Sequence, residues 1–252
     1  MVEIRNLSAG YGKEEILHEI HFTAKNGRIT TIIGKNGCGK STLLKTISGI
    51  LPASGGEILI NGKQITGLTP TNRAKLAAYL SQGKNTPDIT AGRMILHGRF
   101  PYLSYPRKYK KYDYEAAEAA MAKMGISALS DKPVAELSGG TRQKVYIAMA
   151  LAQCSPVILM DEPTSYLDIG QQMKFGRIVK ELAGNGKTVV LVLHDLLFAL
   201  KLSDCICVME NGKITMQDSP ERILNSGIIK TLYGIEVKAL DTPEGKQYYY
   251  EM

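Results

Sequence analysis

Gly34-Lys35-Asn36-Gly37-Cys38-Gly39-Lys40-Ser41-Thr42 is the stretch around which the rest of the chain is organised. Thr31, Ile32 and Ile33 lead into it and the run Ser41 to Ile47 leads out, so the pattern predicts strand, glycine-rich turn and helix. A polyphosphate held by main-chain N–H groups needs such a turn, because side chains at 34, 37 and 39 would obstruct the anion or the positive φ the turn adopts. Glycine stands at all three positions. The helix that follows aims its positive end and unpaired donors at the anion. Lys40 is placed to reach the outer phosphates and the Ser41 hydroxyl to ligate Mg2+, while Lys35, Asn36, Cys38 and Thr42 complete the expected cradle.

Composition bounds what surrounds this loop. The 252 residues are 44 % hydrophobic and 22 % charged, with a mean hydropathy of −0.09, enough for one α/β lobe with an inserted helical part. No apolar run approaches the ~20 residues that cross a bilayer and the first ten residues lack a basic leader, so the chain is expected to be neither secreted nor membrane-spanning. The net charge of +7 suits nucleic acid, anionic lipid or nucleotide and discriminates weakly among them. Cys38, Cys154, Cys205 and Cys207 show no metal-ligand spacing and read as reduced thiols.

Upstream, residues 1 to 8 and 16 to 24 read as strands about a turn at Gly10-Tyr11-Gly12, in which Tyr11 is an aromatic in polar company. Downstream, Asn61-Gly62 between two short apolar runs is a hairpin signal. A helix over 71–78 and a strand over 78–81 bring Gln82 to a strand end, before a turn at 83–87. From about Thr90 to Ala152 the pattern is helical: Ala117, Ala120, Met121 and Met124 share one helix face, and Gly125 stops that helix. Ahead of it, residues 98–111 interleave basic residues with tyrosines, which reads as a solvated or partner-facing connector in preference to a stacking surface for single-stranded nucleic acid.

Leu137-Ser138-Gly139-Gly140 precedes a buried helix over 145–152. The apolar strand Pro156 to Met160 then ends in Asp161-Glu162, adjacent carboxylates that are costly at a buried strand end unless a cation or donors face them. Thr164 to Asp168 opens a helix over 171–182, and the strand Thr188 to Leu193 ends at His194. Three strand ends thus converge on one crevice, the position at which open parallel sheets bind ligands. The tail holds a further strand, the Asn211-Gly212 turn, helices over 220–233 and a terminal hairpin.

Taken together, GKNGCGKST, LSGG and VILMDEP, in that order and spacing, resemble the Walker A loop, signature and Walker B strand of ATP-binding-cassette (ABC) ATPases, and the resemblance covers essentially the whole chain. It implies a RecA-like phosphate-loop core with an antiparallel β subdomain (1–84 and 155–252) and an α-helical subdomain inserted over approximately 85–154. It also implies ATP and Mg2+ as cofactors. By the same resemblance Tyr11 stacks on adenine, Gln82 sits near Mg2+ and the attacking water, and Asp161 holds Mg2+ through water. Glu162 is the general base, His194 contacts the γ-phosphate, and residues 165–168 form the D-loop. Ser138, Gly139 and Gly140 are implied to close on ATP held by a second copy, giving a head-to-tail, ATP-dependent homodimer. Lys35 and Thr141 depart from the commoner residues of the pattern.

A single cassette without a membrane span resembles the separate ATPase of an importer, working with integral permease subunits at the cytoplasmic face of the membrane and indirectly with an extracytoplasmic solute-binding protein. The Gly98 to Ser104 stretch resembles ATPases for iron chelates (siderophore, haem) and cobalamin, and no nucleic-acid partner is expected. In that resemblance Arg99, Phe100, Tyr102 and the basic, tyrosine-rich run to Tyr112 are read as a contact surface for the permease, with Phe100 and its flanking Arg99 as exposed anchors. The alternative is a non-transport ABC ATPase, such as one serving iron–sulfur cluster assembly.

Overall fold

The computed structural model describes residues 1–252 apart from 83–85, 244 and 252. The chain opens with β1 (Val2–Tyr11), β2 (Glu14–Ala24) and β3 (Ile29–Ile33), then α1 (Lys40–Ile47), β4 (Ala53–Ile60), β5 (Lys63–Gln64), α2 (Pro70–Leu76) and β6 (Ala77–Leu80). Helices α3 (Ala91–Leu96), α4 (Lys111–Met124) and α5 (Gly139–Ala152) follow, before β7 (Val157–Asp161), α6 (Ile169–Gly184), β8 (Thr188–Val192) and α7 (Leu196–Leu202). The tail comprises β9 (Cys205–Glu210), β10 (Lys213–Asp218), α8 (Pro220–Asn225), α9 (Ile228–Tyr233), β11 (Glu236–Thr242) and β12 (Gly245–Glu251).

Two larger sheets carry the molecule. One has the order β10-β9-β3-β8-β7-β6, parallel except for the antiparallel edge strand β10; the other is antiparallel, in the order β2-β1-β4-β5. Strands buried on both faces have no solvent side, which is why β7 as far as Met160 and β8 after Thr188 read as unbroken apolar runs, while β3 buries Thr30 and Thr31 among its isoleucines. Their alternation nonetheless divides the core. Val157, Leu159, Val190, Val192, Cys207 and Met209 face α1 and the antiparallel sheet, whereas Ile158, Met160, Val189, Leu191, Ile206 and Val208 face the helices of the other layer. Helices α3, α4 and α5 are inserted between β6 and β7 and pack on one another through Ile95, Met121 and Ile147.

Several boundaries depart from the sequence expectation. The β1–β2 turn lies at Gly12-Lys13, so Tyr11 ends a strand and is not a turn residue. Helix α5 starts six residues earlier than its apolar stretch, at the signature, because Ser138 caps it by accepting from the Thr141 N–H at 3.4 Å. The turn expected over 83–87, and with it the boundary expected near 84, falls partly outside the described residues. The Asn61-Gly62 and Asn211-Gly212 turns form as read, each with both residues at positive φ.

Candidate nucleotide site

Glycine's role in the phosphate loop differs from position to position. A Cβ at Gly34 would lie 2.2 Å from the Met209 carbonyl of β9 and 2.7 Å from Cys38 Sγ, so this glycine serves close packing of the loop on the sheet. Gly37, at φ 79° with open space around it, is required by backbone conformation alone. Lys40 is buried, its ammonium donating to the carbonyls of Gly34 and Lys35, both at 2.8 Å.

A crevice of about 360 Å³ opens over this loop, lined by Tyr11, Ile16, Asn36, Gly37, Gly39, Lys40, Ser41, Thr42, Gln82, Glu162 and His194. The three strand ends expected to converge do so here. Glu162, at φ 51°, is the hub: Gln82 Nε2 donates to its Oε2 at 2.5 Å, His194 Nε2 contacts Oε1, and Ser165 Oγ donates to Oε2 at 3.4 Å. Asp161 lies beneath, 2 % exposed, and its Oδ1 has no hydrogen-bond partner among the described residues. Burial pushes its carboxyl above the usual range, neighbouring Glu162 adds to the rise, and the hydroxyls of Ser41 and Tyr79 oppose it. A buried carboxylate oxygen without a donor, beside the Ser41 hydroxyl, is a donor set that fits Mg2+, which takes few protein ligands. No group of three or more His, Cys, Asp or Glu side chains able to hold a metal occurs among the described residues.

Other assignments fall outside this crevice or change character. Gly34, Lys35 and Cys38 belong to the loop without lining the cavity. Cys38 is buried against the sheet core, and desolvation raises its pKa in spite of the nearby Lys40 ammonium, so a reactive, acidified thiol is not what the loop contains. Ser138, Gly139 and Gly140 stand apart from the crevice at the start of α5, where a Cβ on Gly139 would meet the Tyr166 side chain at 3.7 Å. Arg99 is not an exposed anchor: it is 6 % exposed, its Nε donates to Asp113 Oδ1 at 3.0 Å and its Nη1 to the Ala152 carbonyl at 3.0 Å.

Three supporting residues escaped the sequence reading. Ile16 forms an apolar wall beside Tyr11. Tyr79 donates to Asp161 Oδ2 at 3.4 Å, its phenol pushed far up, first by burial and then by the Asp161 charge. Tyr233 of α9 lies beside the Gly34 backbone, and burial raises its phenol to about 12. Only the position of Tyr79 on the strand next to the Asp161 strand was open to sequence, through the parallel pairing of β6 with β7.

The "ABC transporter" family model matches residues 17–165, spanning the phosphate loop, the signature and the paired carboxylates. The chain belongs to the ABC transporter family. This cassette is 37 % identical to the ferric enterobactin transport ATP-binding protein of Escherichia coli (strain K12), over 94 % of its own length and 88 % of that protein. It is 34 % identical to the iron(3+)-hydroxamate import ATP-binding protein of Bacillus subtilis (strain 168), over 94 % and 89 %. Its structure superposes on a dimeric ATP-binding cassette in a post-hydrolysis state bound to ADP and Pi with a TM-score of 0.78 and 27 % identity, covering 87 % of this chain and 99 % of that one. The cassette is accordingly an ATP-binding ATPase. No helix among the described residues is long and apolar enough to cross a membrane.

Proposed function

We propose that this cassette is the ATP-hydrolysing subunit of an importer, bound at the cytoplasmic face of the membrane to separate permease subunits and powering uptake of an iron chelate. The observation that carries the hydrolytic part is the Glu162 carboxylate, fixed by Gln82 and His194 at the edge of the phosphate-loop crevice. Glu162 orients the attacking water and accepts its proton as the bond between the β- and γ-phosphates breaks and ADP leaves. Lys40 and the loop N–H groups hold the outer phosphates, Tyr11 and Ile16 flank adenine, and His194 contacts the γ-phosphate. Ser41, Gln82 and Asp161 are the residues that would hold Mg2+, which supplies neutralisation of phosphate charge.

Ser138, Gly139 and Gly140, remote from the crevice of their own chain, would complete the site of a second copy in a head-to-tail dimer. The names of the relatives favour an iron chelate over the cobalamin-type solute that the Gly98 to Ser104 resemblance also implies. Permease contact falls to the core–helical boundary, where Phe100 is 48 % exposed. The division into core with β subdomain and inserted helices follows the same reading. Affinity purification of the chain with its genomic neighbours is the test: recovery of a multi-span permease and ATP-dependent uptake of an iron chelate are expected. Recovery of a soluble scaffold protein instead would transfer the chain to iron–sulfur cluster assembly.

A further inference from the structure

Between Arg99 and Asp113 the chain leaves the body of the helical layer and returns, and both ends of this excursion are tied to one buried carboxylate. Asp113, 0 % exposed, accepts Arg99 Nε at 3.0 Å through Oδ1 and the Lys110 N–H at 2.9 Å through Oδ2. The loop is therefore a built feature with a rigid base. Its composition is one-sided. From residue 99 to residue 112 there is no acid, and Arg107, Lys108, Lys110 and Lys111 are all exposed. Among the described residues only Lys111 of these four meets an acid, Glu115, at 3.7 Å. At the outer end stands Tyr105, 96 % exposed.

We infer that residues 104–111 form a contact surface for the anionic headgroups of a lipid bilayer. Cations beside an amphipathic tyrosine are the combination that the membrane interface favours, the ring at headgroup depth and the charges among phosphates. A single strand of nucleic acid, in contrast, needs ring faces open for stacking. Most of those faces are already taken. The Arg107 guanidinium lies 4.7 Å from the Phe100 centroid, that of Arg99 4.1 Å from Tyr102, the Lys110 ammonium 6.0 Å from Tyr112, and Tyr109 meets Tyr114 edge-on at 6.1 Å. Tyr105 alone projects freely, which suits one point of insertion and not a track for successive bases.

This surface rests on the reading of the cassette as peripheral to a membrane, yet its test needs neither permease nor hydrolysis. The purified full chain is sedimented with vesicles of phosphatidylcholine containing about 30 % phosphatidylserine, and with pure phosphatidylcholine vesicles, over rising salt. Binding to the anionic vesicles alone, weakening with salt, is expected. Since each basic residue at such a surface is worth about fivefold in partition, the variant Arg107→Gln/Lys108→Gln/Lys111→Gln should bind at least about tenfold more weakly. Tyr105→Ala should lower binding further, and the basal ATPase and Tm of both variants should stay at the starting values. Equal sedimentation with neutral vesicles, or undiminished binding by the triple variant, overturns the inference, as does a triple variant that loses affinity for a single-stranded oligonucleotide but not for anionic vesicles. Vesicle binding without permease recovery would overturn the importer reading and leave this surface standing; the converse would do the reverse.

Discussion

Asp161 and Glu162 are neighbours in the sequence with opposite requirements. Glu162 is a partly exposed carboxylate surrounded by groups that orient it, whereas Asp161 is buried with one oxygen unmatched. Because burial raises the folded-state pKa of Asp161 above its unfolded value, its contribution to stability is fully present below the unfolded pKa and is lost as pH rises through the folded one. Asp161→Asn should therefore stabilise the nucleotide-free protein at neutral pH by on the order of 1 kcal/mol, and by nothing below about pH 3, where the carboxyl is protonated in both states. The same variant should bind ATP with Mg2+ far more weakly. Thermal melts at about pH 7 and about pH 3 with a Mg2+ titration check both halves, and a lower melting point at neutral pH would show that the carboxylate is matched after all. Cys38 sits behind the loop and Cys154 is exposed, so a maleimide should label Cys154 first and leave ATPase activity intact. Peptide mapping decides this, since early modification of Cys38 with loss of activity would contradict its burial.

At the scale of elements, the same distinction between what a residue is and what it meets explains which expectations held. The buried strands were legible because continuous Val, Ile and Leu runs have no other use in an α/β protein, and the loop, signature and carboxylate pair were legible because their residue types are set by phosphate chemistry. The start of α5 was not, since Gly139 to Lys144 carries no apolar period and only the Ser138 cap marks it. Arg99 was misread for a related reason: a basic residue beside an aromatic looks like surface until Asp113, fourteen positions on, is seen to bury it. Removing one partner of a buried ion pair leaves the other uncompensated, so Arg99→Ala should cost about 3–5 kcal/mol and release the 104–111 loop. Asp113→Ala should do the same, while the surface change Phe100→Ala should cost less than about 1 kcal/mol. Urea unfolding of the three variants ranks them, and an Arg99→Ala midpoint close to that of Phe100→Ala would return Arg99 to the surface.

For the whole molecule, the decisive fact is that one chain's crevice contains Glu162, Gln82 and His194 but not Ser138, Gly139 or Gly140. A helix N-terminus with glycine at its first two positions presents backbone donors suited to an anion, yet within its own chain it faces Tyr166 and not the phosphate loop. Two chains arranged head to tail would put each signature over the other's ATP, so nucleotide binding and dimerisation become one linked equilibrium in which slower hydrolysis means a longer-lived dimer. Glu162→Gln keeps the size of the side chain and a hydrogen-bonding carbonyl but abolishes proton acceptance, and should cut kcat by about 100-fold or more while leaving ATP affinity within a few fold. Size-exclusion chromatography of this variant with Mg2+ and ATP should show a dimer that ADP fails to support. A Ser138→Arg substitution added to it should return the peak to monomer, because the bulky cation blocks the approach of the second chain without touching the crevice of its own. A dimer that persists equally with ATP, with ADP and with Ser138→Arg would mean that the chains associate through another face, and the signature would then need a different account.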